Sequence, residues 1–360
     1  MIRIDEIYYN TFLPKVQAKS VVGLHWFDPF GSVKFEDLCN VPPIPDVPDA
    51  RRYLFWDQEP LHQELVDQTL SKFVQMFSKG RRHIITSEQD SAMVRYVENT
   101  YGFRSHYYFF HGWAALDWFR GYNRSFLMPD YKDRQITKTF IAPNRIIAGE
   151  RQHRLVMLYN IFKYGMQNNH ISCPAVCAGE NITIEQAIKP LLVFHPDMEE
   201  VFAQQQFPIN MPGESGSPMH SCWLSLFAES AESLIYLVTE TVANGRRQHL
   251  TEKTFKPICL KMPFVIVGCQ GSLAYLRQYG FKTFGHVWDE SYDNEIHDDQ
   301  RIEKIAFTLK AIDILPQHEK QRLFNIAQEV CEHNYNHFYN GGFEQVLWAE
   351  LEGMLRDMNV

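Results

Sequence analysis

Three stretches decide the fold class: Tyr53-Leu54-Phe55-Trp56, the segment from Leu61 to Ser78, and His83-Ile84-Ile85-Thr86. The first and last are short runs of aromatic and β-branched residues, which predict strands. Between them Leu65, Leu70, Phe73, Val74 and Phe77 recur at helical spacing and predict an amphipathic helix. Strand, helix and strand in succession predict a parallel sheet flanked by helices. The pattern extends in both directions. Val21 to Phe27 predicts an earlier strand, Ser91 to Thr100 a helix, and Tyr107 to Phe110 a further strand. Pro42-Pro43-Ile44-Pro45-Asp46-Val47-Pro48 is a stiff extended loop that cannot be helix or central strand.

A second alternation begins near Lys138. Strands are expected at Thr139–Ala142, Leu234–Val238 and Phe264–Val267, and helices at Arg151–Gln167, Glu252–Leu260 and Ser272–Tyr279. The tail from Asp298 reads as helical, broken by Pro316 and Gly341-Gly342. Met211 to Pro218 is a polar loop small enough in its side chains to move. The expected layout is two α/β halves joined near Asp130–Lys138. Residues 1–134 form the first domain, 135–335 the second, and 336–360 a terminal helical segment.

The chain has 360 residues, room for about two domains at roughly 150 residues each. Hydrophobic residues at 45% and charged residues at 22% exclude a disordered or fibrous chain. A net charge of −8 argues against coating nucleic acid by bulk charge, and leaves room for a local basic cleft. No apolar run reaches the ~18–20 residues of a membrane span. The best, Ile258 to Cys269, is interrupted by Lys261 and Pro263. The amino-terminal residues are acidic where a signal peptide has its apolar core. The seven cysteines include no CxxC pair and read as free, buried thiols of a cytoplasmic protein.

The densest chemical feature is Leu250-Thr251-Glu252-Lys253-Thr254-Phe255-Lys256-Pro257, which follows a strand ending in Thr239-Glu240-Thr241. Thr251 is a natural N-cap and Glu252 suits the first turn of a helix. The same geometry is a ready anion site, with Lys253 and Lys256 beside it and Glu252 placed to accept from ribose hydroxyls. Residue chemistry leaves the two readings even. A second cluster, Asn144-Arg145 followed by Arg151-Gln152-His153-Arg154, concentrates cations at a strand-to-helix turn, which is unfavourable unless an anion binds. Arg145 and Arg154 are therefore diphosphate candidates.

Asp57 and Glu59 stand just past a strand, where open α/β sheets bind ligands. Glu59 is also explained as a helix cap; Asp57 is not. His111, in Phe110-His111-Gly112-Trp113, ends the next strand. It reads as a packed core histidine or, beside Gly112 and Trp113, as part of a site with a stacking face. Ser87-Glu88-Gln89-Asp90 follows the strand before it, with Ser87 read as a cap. The sequence has no Asp-x-Asp motif, P-loop, GxGxxG fingerprint or GxSxG elbow, so metal-clamped diphosphate, triphosphate hydrolysis, dinucleotide redox and serine hydrolysis are disfavoured.

Glu240, Thr251-Glu252-Lys253 and Met262-Pro263-Phe264-Val265-Ile266-Val267-Gly268 together resemble the donor-binding segment of GT-B glycosyltransferases. The match is to the fucosyltransferase pattern, and closer still to phage and viral glycosyltransferases. In those the segment continues as here through Ser272–Arg277, Gly280–Phe284 and Asp289–Asp293. The resemblance spans about Glu240 to Asp293. It implies two Rossmann-like parallel-sheet domains facing a central cleft, with a carboxyl-terminal helix returning to the first. Lys253 would contact the donor phosphate, Glu252 the ribose and Glu240 the transferred sugar. Similar enzymes carry an Asn-Arg … His-Arg pattern, here Asn144, Arg145, His153 and Arg154. One departure is Arg246-Arg247-Gln248-His249, which makes the loop before Thr251 longer and basic, so that Arg247 is an alternative phosphate ligand.

The expectation is a metal-independent glycosyltransferase using a uridine- or guanosine-diphosphate sugar, with no other cofactor. Asp57 is the first candidate base, Glu59 the second, and His111 and Glu240 complete the catalytic set. Resemblance to phage enzymes points to double-stranded DNA carrying a hydroxymethylated pyrimidine as acceptor, in a host cytoplasm. Trp113 or Trp118 would then stack the extruded base. A saccharide acceptor, or a non-catalytic nucleotide- or glycan-binding module, are the alternatives. The sequence carries no signal for oligomeric state.

Overall fold

A computed structural model of the chain describes residues 24–27, 53–56, 60–74, 82–123, 127–177, 181–214 and 224–358. The protein is α/β with parallel sheets. Among the described residues it divides into two compact units. Unit 1 runs to Trp118 and takes in Arg246–His249 and residues 344–358; unit 2 holds Phe119–Gly245 and Leu250–Phe343.

Unit 1 carries β1 (Leu24–Phe27), β2 (Tyr53–Trp56), helix α1 (Gln63–Phe73), β3 (His83–Thr86), α2 (Ala92–Tyr101), β4 (Arg104–Tyr107) and α3 (Phe110–Phe119). The four strands lie parallel in the order β1-β2-β3-β4. Leu65, Val66 and Leu70 of α1 pack with Leu54 and Trp56 of β2, Ile84 of β3 and Val97 of α2. Burial of this apolar stripe, not helix propensity, is what holds α1 in place. The boundaries of α2 follow from its caps. Ser91 accepts from the Val94 amide (3.0 Å), and Gly102 ends the helix at φ +66°, where a side chain would be strained.

The strand expected at Tyr107–Phe110 is displaced. β4 starts at Arg104, and Phe110 already opens α3, because the run from Phe109 to Leu116 is apolar on every side and fully buried as a helix.

Unit 2 contains β5 (Lys138–Ala142), α4 (Gln152–Lys163), β6 (His170–Ile171), β7 (Val176–Cys177), β8 (Ile182–Thr183), α5 (Ile184–Ile188), α6 (Met198–Ala203), α7 (Phe227–Glu232), β9 (Ser233–Thr239), α8 (Glu252–Cys259), β10 (Phe264–Val267), α9 (Ser272–Gln278), α10 (Asp298–Asp313) and α11 (Gln317–Tyr339). Helix α12 (Gly342–Met358) follows, its residues from Glu344 onward grouped with unit 1. The main sheet is parallel in the order β10-β9-β5-β6. All seven residues of β9 are buried, as befits a central strand covered on both faces. Gly268 ends β10 for a packing reason: a Cβ there would stand 2.6 Å from the Ser272 hydroxyl of α9.

Cys173, Cys177, Cys259, Cys269 and Cys331 are free and buried. No described helix is long and apolar enough to cross a membrane. Among the described residues no group of three or more His, Cys, Asp or Glu could hold a metal ion.

Candidate functional site

The order β10-β9-β5-β6 identifies a special place in unit 2. From β5 the chain moves outward to β6, then returns with β9 on the other side of β5. The direction of winding reverses between β5 and β9, and open α/β sheets bind ligands at the carboxyl ends of the two strands flanking such a reversal. Asn144 and Arg145 follow β5, Glu240 and Thr241 follow β9, and Thr251–Lys253 open α8 beside them. The described strands of unit 1 follow one another in chain order without a reversal.

Glu240 is the hub of this end of the sheet. It is 0% exposed. Its carboxylate accepts from the hydroxyls of Thr251 and Thr254, both at 2.6 Å, and from the amides of Thr251 (3.2 Å) and Thr241 (3.3 Å). Its backbone carbonyl accepts from Arg154 Nη2 (3.0 Å) and His153 Nε2 (3.0 Å). Both ends of the residue thus tie β9 to neighbouring elements, and the carboxylate has no exposed face to offer a sugar.

Arg154 is buried, its guanidinium donating to the carbonyls of Ile146 (2.9 Å), Glu240 (3.0 Å) and Thr239 (3.2 Å). Burial, aided by nearby Arg151, lowers its pKa to about 10, so it stays a cation. His153 is also buried; desolvation, then the Arg154 charge, depress its pKa to about 3. A neutral imidazole donating to a carbonyl of the central strand is a brace of the fold, which sets it apart from the donor-binding place that the resemblance implies for His153. Asn144 is buried too. Its side chain accepts from Thr239 Oγ1 (3.0 Å) and donates to the Ala142 carbonyl (3.2 Å). These three residues brace the strand ends.

A pH dependence follows from His153. In the unfolded chain it takes up a proton below its ordinary pKa of 6.5, whereas in the fold it stays neutral down to about 3. Its contribution to stability is fully present above that ordinary value and is lost as pH falls through the window, at about 1.4 kcal/mol per unit. The urea midpoint of His153→Asn is expected to fall less steeply than that of the native chain between about pH 7 and pH 4; parallel slopes would refute this.

Among the described residues, Lys253 and Arg145 are two partly exposed cations at these strand ends. The Lys253 side chain is 30% exposed, and its ammonium donates to Thr241 Oγ1 (2.9 Å), Glu252 Oε1 (3.2 Å) and Thr251 Oγ1 (3.3 Å). Thr251 caps α8 as its sequence position suggests, accepting from the Lys253 amide. An ammonium in a helix's first turn opposes the macrodipole, a cost that a bound anion offsets. Glu252 is buried beside it. The half-exposed Arg145 faces Glu214 at 3.7 Å. Sequence reading missed Glu214, because its loop looks mobile. In the structure Met211–Glu214 is anchored, by Met211 N–H donating to Glu214 (2.9 Å) and by the Gly213 amide donating to Glu229; residues 215–218 lie outside the described part.

In unit 1 the expectations fare differently. Asp57 and Glu59, the two base candidates, lie outside the described residues. Trp113 is 0% exposed and packs edge to face on Trp348 of α12, with ring centroids 4.9 Å apart. It cannot offer a stacking face, which corrects that role; Trp118 is half-buried. His111 is buried in the first turn of α3, its ring against His249 at 5.3 Å. Arg247 belongs to this unit, 3.6 Å from Glu88. A cavity of about 360 Å³ in unit 2, lined among others by Tyr131, Cys259, Lys261 and Tyr335, opens at the far end of α8 from Lys253.

Comparison with family models, with curated proteins and with solved structures finds no match.

Proposed function

We propose that the chain is a glycosyltransferase of the GT-B arrangement, moving a sugar from a uridine- or guanosine-diphosphate donor to an acceptor hydroxyl. The observation that carries this reading is the reversal between β5 and β9, with the partly exposed Lys253 and Arg145 at the carboxyl ends of the strands. Cations at a strand-to-helix turn suit a diphosphate leaving group. Lys253 meets the phosphate and Arg145 exchanges Glu214 for it. Asn144, His153, Arg154 and Glu240 hold the strand ends to which these groups are attached.

The acceptor proposed first is the hydroxymethyl group of a modified pyrimidine in double-stranded DNA. The burial of Trp113 favours a second reading, a saccharide acceptor, because an extruded base loses one of the two stacking faces proposed for it and keeps only the half-buried Trp118.

Titration calorimetry with uridine and guanosine diphosphates, followed by a nucleotide-sugar panel on hydroxymethylated DNA and oligosaccharides, tests the proposal. One of the two nucleotides is expected to bind. Lys253→Ala should weaken it by about 10- to 100-fold, the worth of one charge-assisted hydrogen bond. Binding of neither nucleotide, or equal binding by the variant, sinks the reading. Nucleotide binding without sugar transfer to any acceptor identifies a binding module instead of an enzyme.

A further inference from the structure

The carboxyl end of α8 is built around an opening. Met262 N–H donates to the Pro257 carbonyl (2.9 Å) and Lys261 N–H to the Ile258 carbonyl (3.1 Å), a Schellman ending that puts residue 261 in the left-handed region. Glycine usually stands at such a position; here it is lysine, at φ +50°. Backbone strain of this kind persists where the surroundings hold it, and the Lys261 side chain shows how. Its Nζ donates to Glu332 Oε2 of α11 (2.8 Å) and lies 4.3 Å from the centre of the Tyr335 ring. Tyr335 in turn donates its hydroxyl to Asn123 Oδ1 (2.7 Å). Arg134, buried, donates to the carbonyls of Leu260 (3.0 Å), Pro129 (3.1 Å) and Lys261 (3.3 Å). The end of α8, the segment 127–134 and α11 are thus tied to one another around a pocket of about 360 Å³, all of it within unit 2.

Size, polarity and charge define what fits there. Met128, Phe227, Leu260 and the rings of Tyr122, Tyr131 and Tyr335 make the wall mostly apolar and aromatic. A cavity of about 150 Å³ accepts a benzene ring, so this one has room for two linked rings. The charged side chains of the wall cancel. Lys261 is paired with Glu332, and Arg134 stays a cation near Asp130, its pKa lowered to about 10 by burial against the influence of Cys331 and Asp130. An ionic ligand would give up water and find no counter-charge left for it, whereas a neutral one breaks no pair. Asp130 and Glu332 are exposed, and their carboxylates can accept from a hydroxyl.

We infer that this pocket binds a neutral, mainly apolar or aromatic small molecule of about two rings, carrying a hydroxyl that donates to Asp130 or Glu332. It lies at the opposite end of α8 from Lys253, a helix of 8 residues and so roughly 12 Å long. The site stands or falls independently of the transferase reading.

Biphenyl-4-methanol, biphenyl-4-carboxylate and biphenyl-4-methylammonium share one skeleton and differ in charge, and serve as probes in ligand-observed NMR titrations. The alcohol is expected to bind with a Kd of about 100 µM or tighter, and both ions about 10-fold or more weakly than the alcohol. Tyr131→Ala removes one ring of the wall and should weaken the alcohol by about 10-fold. Lys261→Met leaves Glu332 without its ammonium, so the methylammonium probe should gain about 10-fold and the carboxylate should not. Both substituted residues are partly exposed, which spares the core. No binding of the alcohol by the native chain overturns the site, and equal affinities for the three probes overturn the neutral class. Unchanged binding by Tyr131→Ala puts the probe elsewhere and overturns the pocket assignment. No gain for the methylammonium probe in Lys261→Met overturns the charge pairing on which the ligand class depends. A chain that binds the alcohol but neither nucleotide supports this site while sinking the transferase reading.

Discussion

Replacing Glu240 with alanine will cost unit 2 about 3–5 kcal/mol, read as a fall in the urea midpoint. The reason is the number of groups left without a partner. Two threonine hydroxyls at 2.6 Å and two amides at 3.2 and 3.3 Å give their hydrogen bonds to this one carboxylate, in a place no water reaches. Each buried donor so orphaned costs about 1–3 kcal/mol, and local relaxation recovers only part of the sum. Thr251 and Thr254 belong to the start of α8, so the variant also frees the turn that presents Lys253. Nucleotide affinity should fall along with stability. Glu240→Gln keeps the shape and half of the acceptor capacity and should lose less. A midpoint shift worth under about 1 kcal/mol would show that the carboxylate is dispensable to the fold.

Arg301 is expected to matter nearly as much. It is 2% exposed on α10, and its guanidinium reaches three separate loops. Nε donates to the Gly268 carbonyl (3.0 Å), Nη1 to the Glu295 carbonyl (2.9 Å), and Nη2 to the Ala243 carbonyl and to Asp298 Oδ1 (2.7 Å). Gly268 follows β10 and Ala243 follows β9, so one side chain gathers the loops leaving both strands. Arg301→Met leaves three carbonyls and a carboxylate oxygen without it, for a predicted loss of about 3–4 kcal/mol by chemical denaturation. Arg301→Lys should rescue little, because an ammonium cannot span a fork of four acceptors. Substantial rescue by lysine would show that charge, not geometry, is what the site needs.

The sheets were legible in the sequence because buried parallel strands are continuous apolar runs. His83–Thr86 and Phe264–Val267 carry the expected bounds, and β9 extends the expected Leu234–Val238 by one residue at each end. Helices announced by a cap were equally legible: Ser91 opens α2 and Thr251 opens α8. The expectation failed where an apolar run changes period without punctuation, as at Tyr107–Phe110, where the strand ends and the helix begins among aromatic residues. Of the site, position at the strand ends was readable, but the division between braces and open groups was not. Arg154 looked like a phosphate cation because it opens a helix, and His153 entered beside it through the pattern of similar enzymes; only the fold shows that carbonyls of the central strand already occupy them. Glu88 and Arg301 were not singled out, since their partners lie 159 and 58 residues away, at Arg247 and Ala243.

The composition of unit 1 also has a meaning for synthesis. Its sheet is built from early residues, but Trp348, which closes over Trp113, and Glu350, which accepts from the Phe109 amide at 2.8 Å, come from α12. Arg247, which faces Glu88, comes from midway along the second half. Trp348 and Glu350 emerge from the ribosome after Phe109 and Trp113 have waited through more than two hundred residues of elongation, and Arg247 after more than one hundred and thirty. Domains generally fold in the order they are made. Here the first-made unit is the last to be completed, and its aromatic core must remain without its cover until the chain is almost finished.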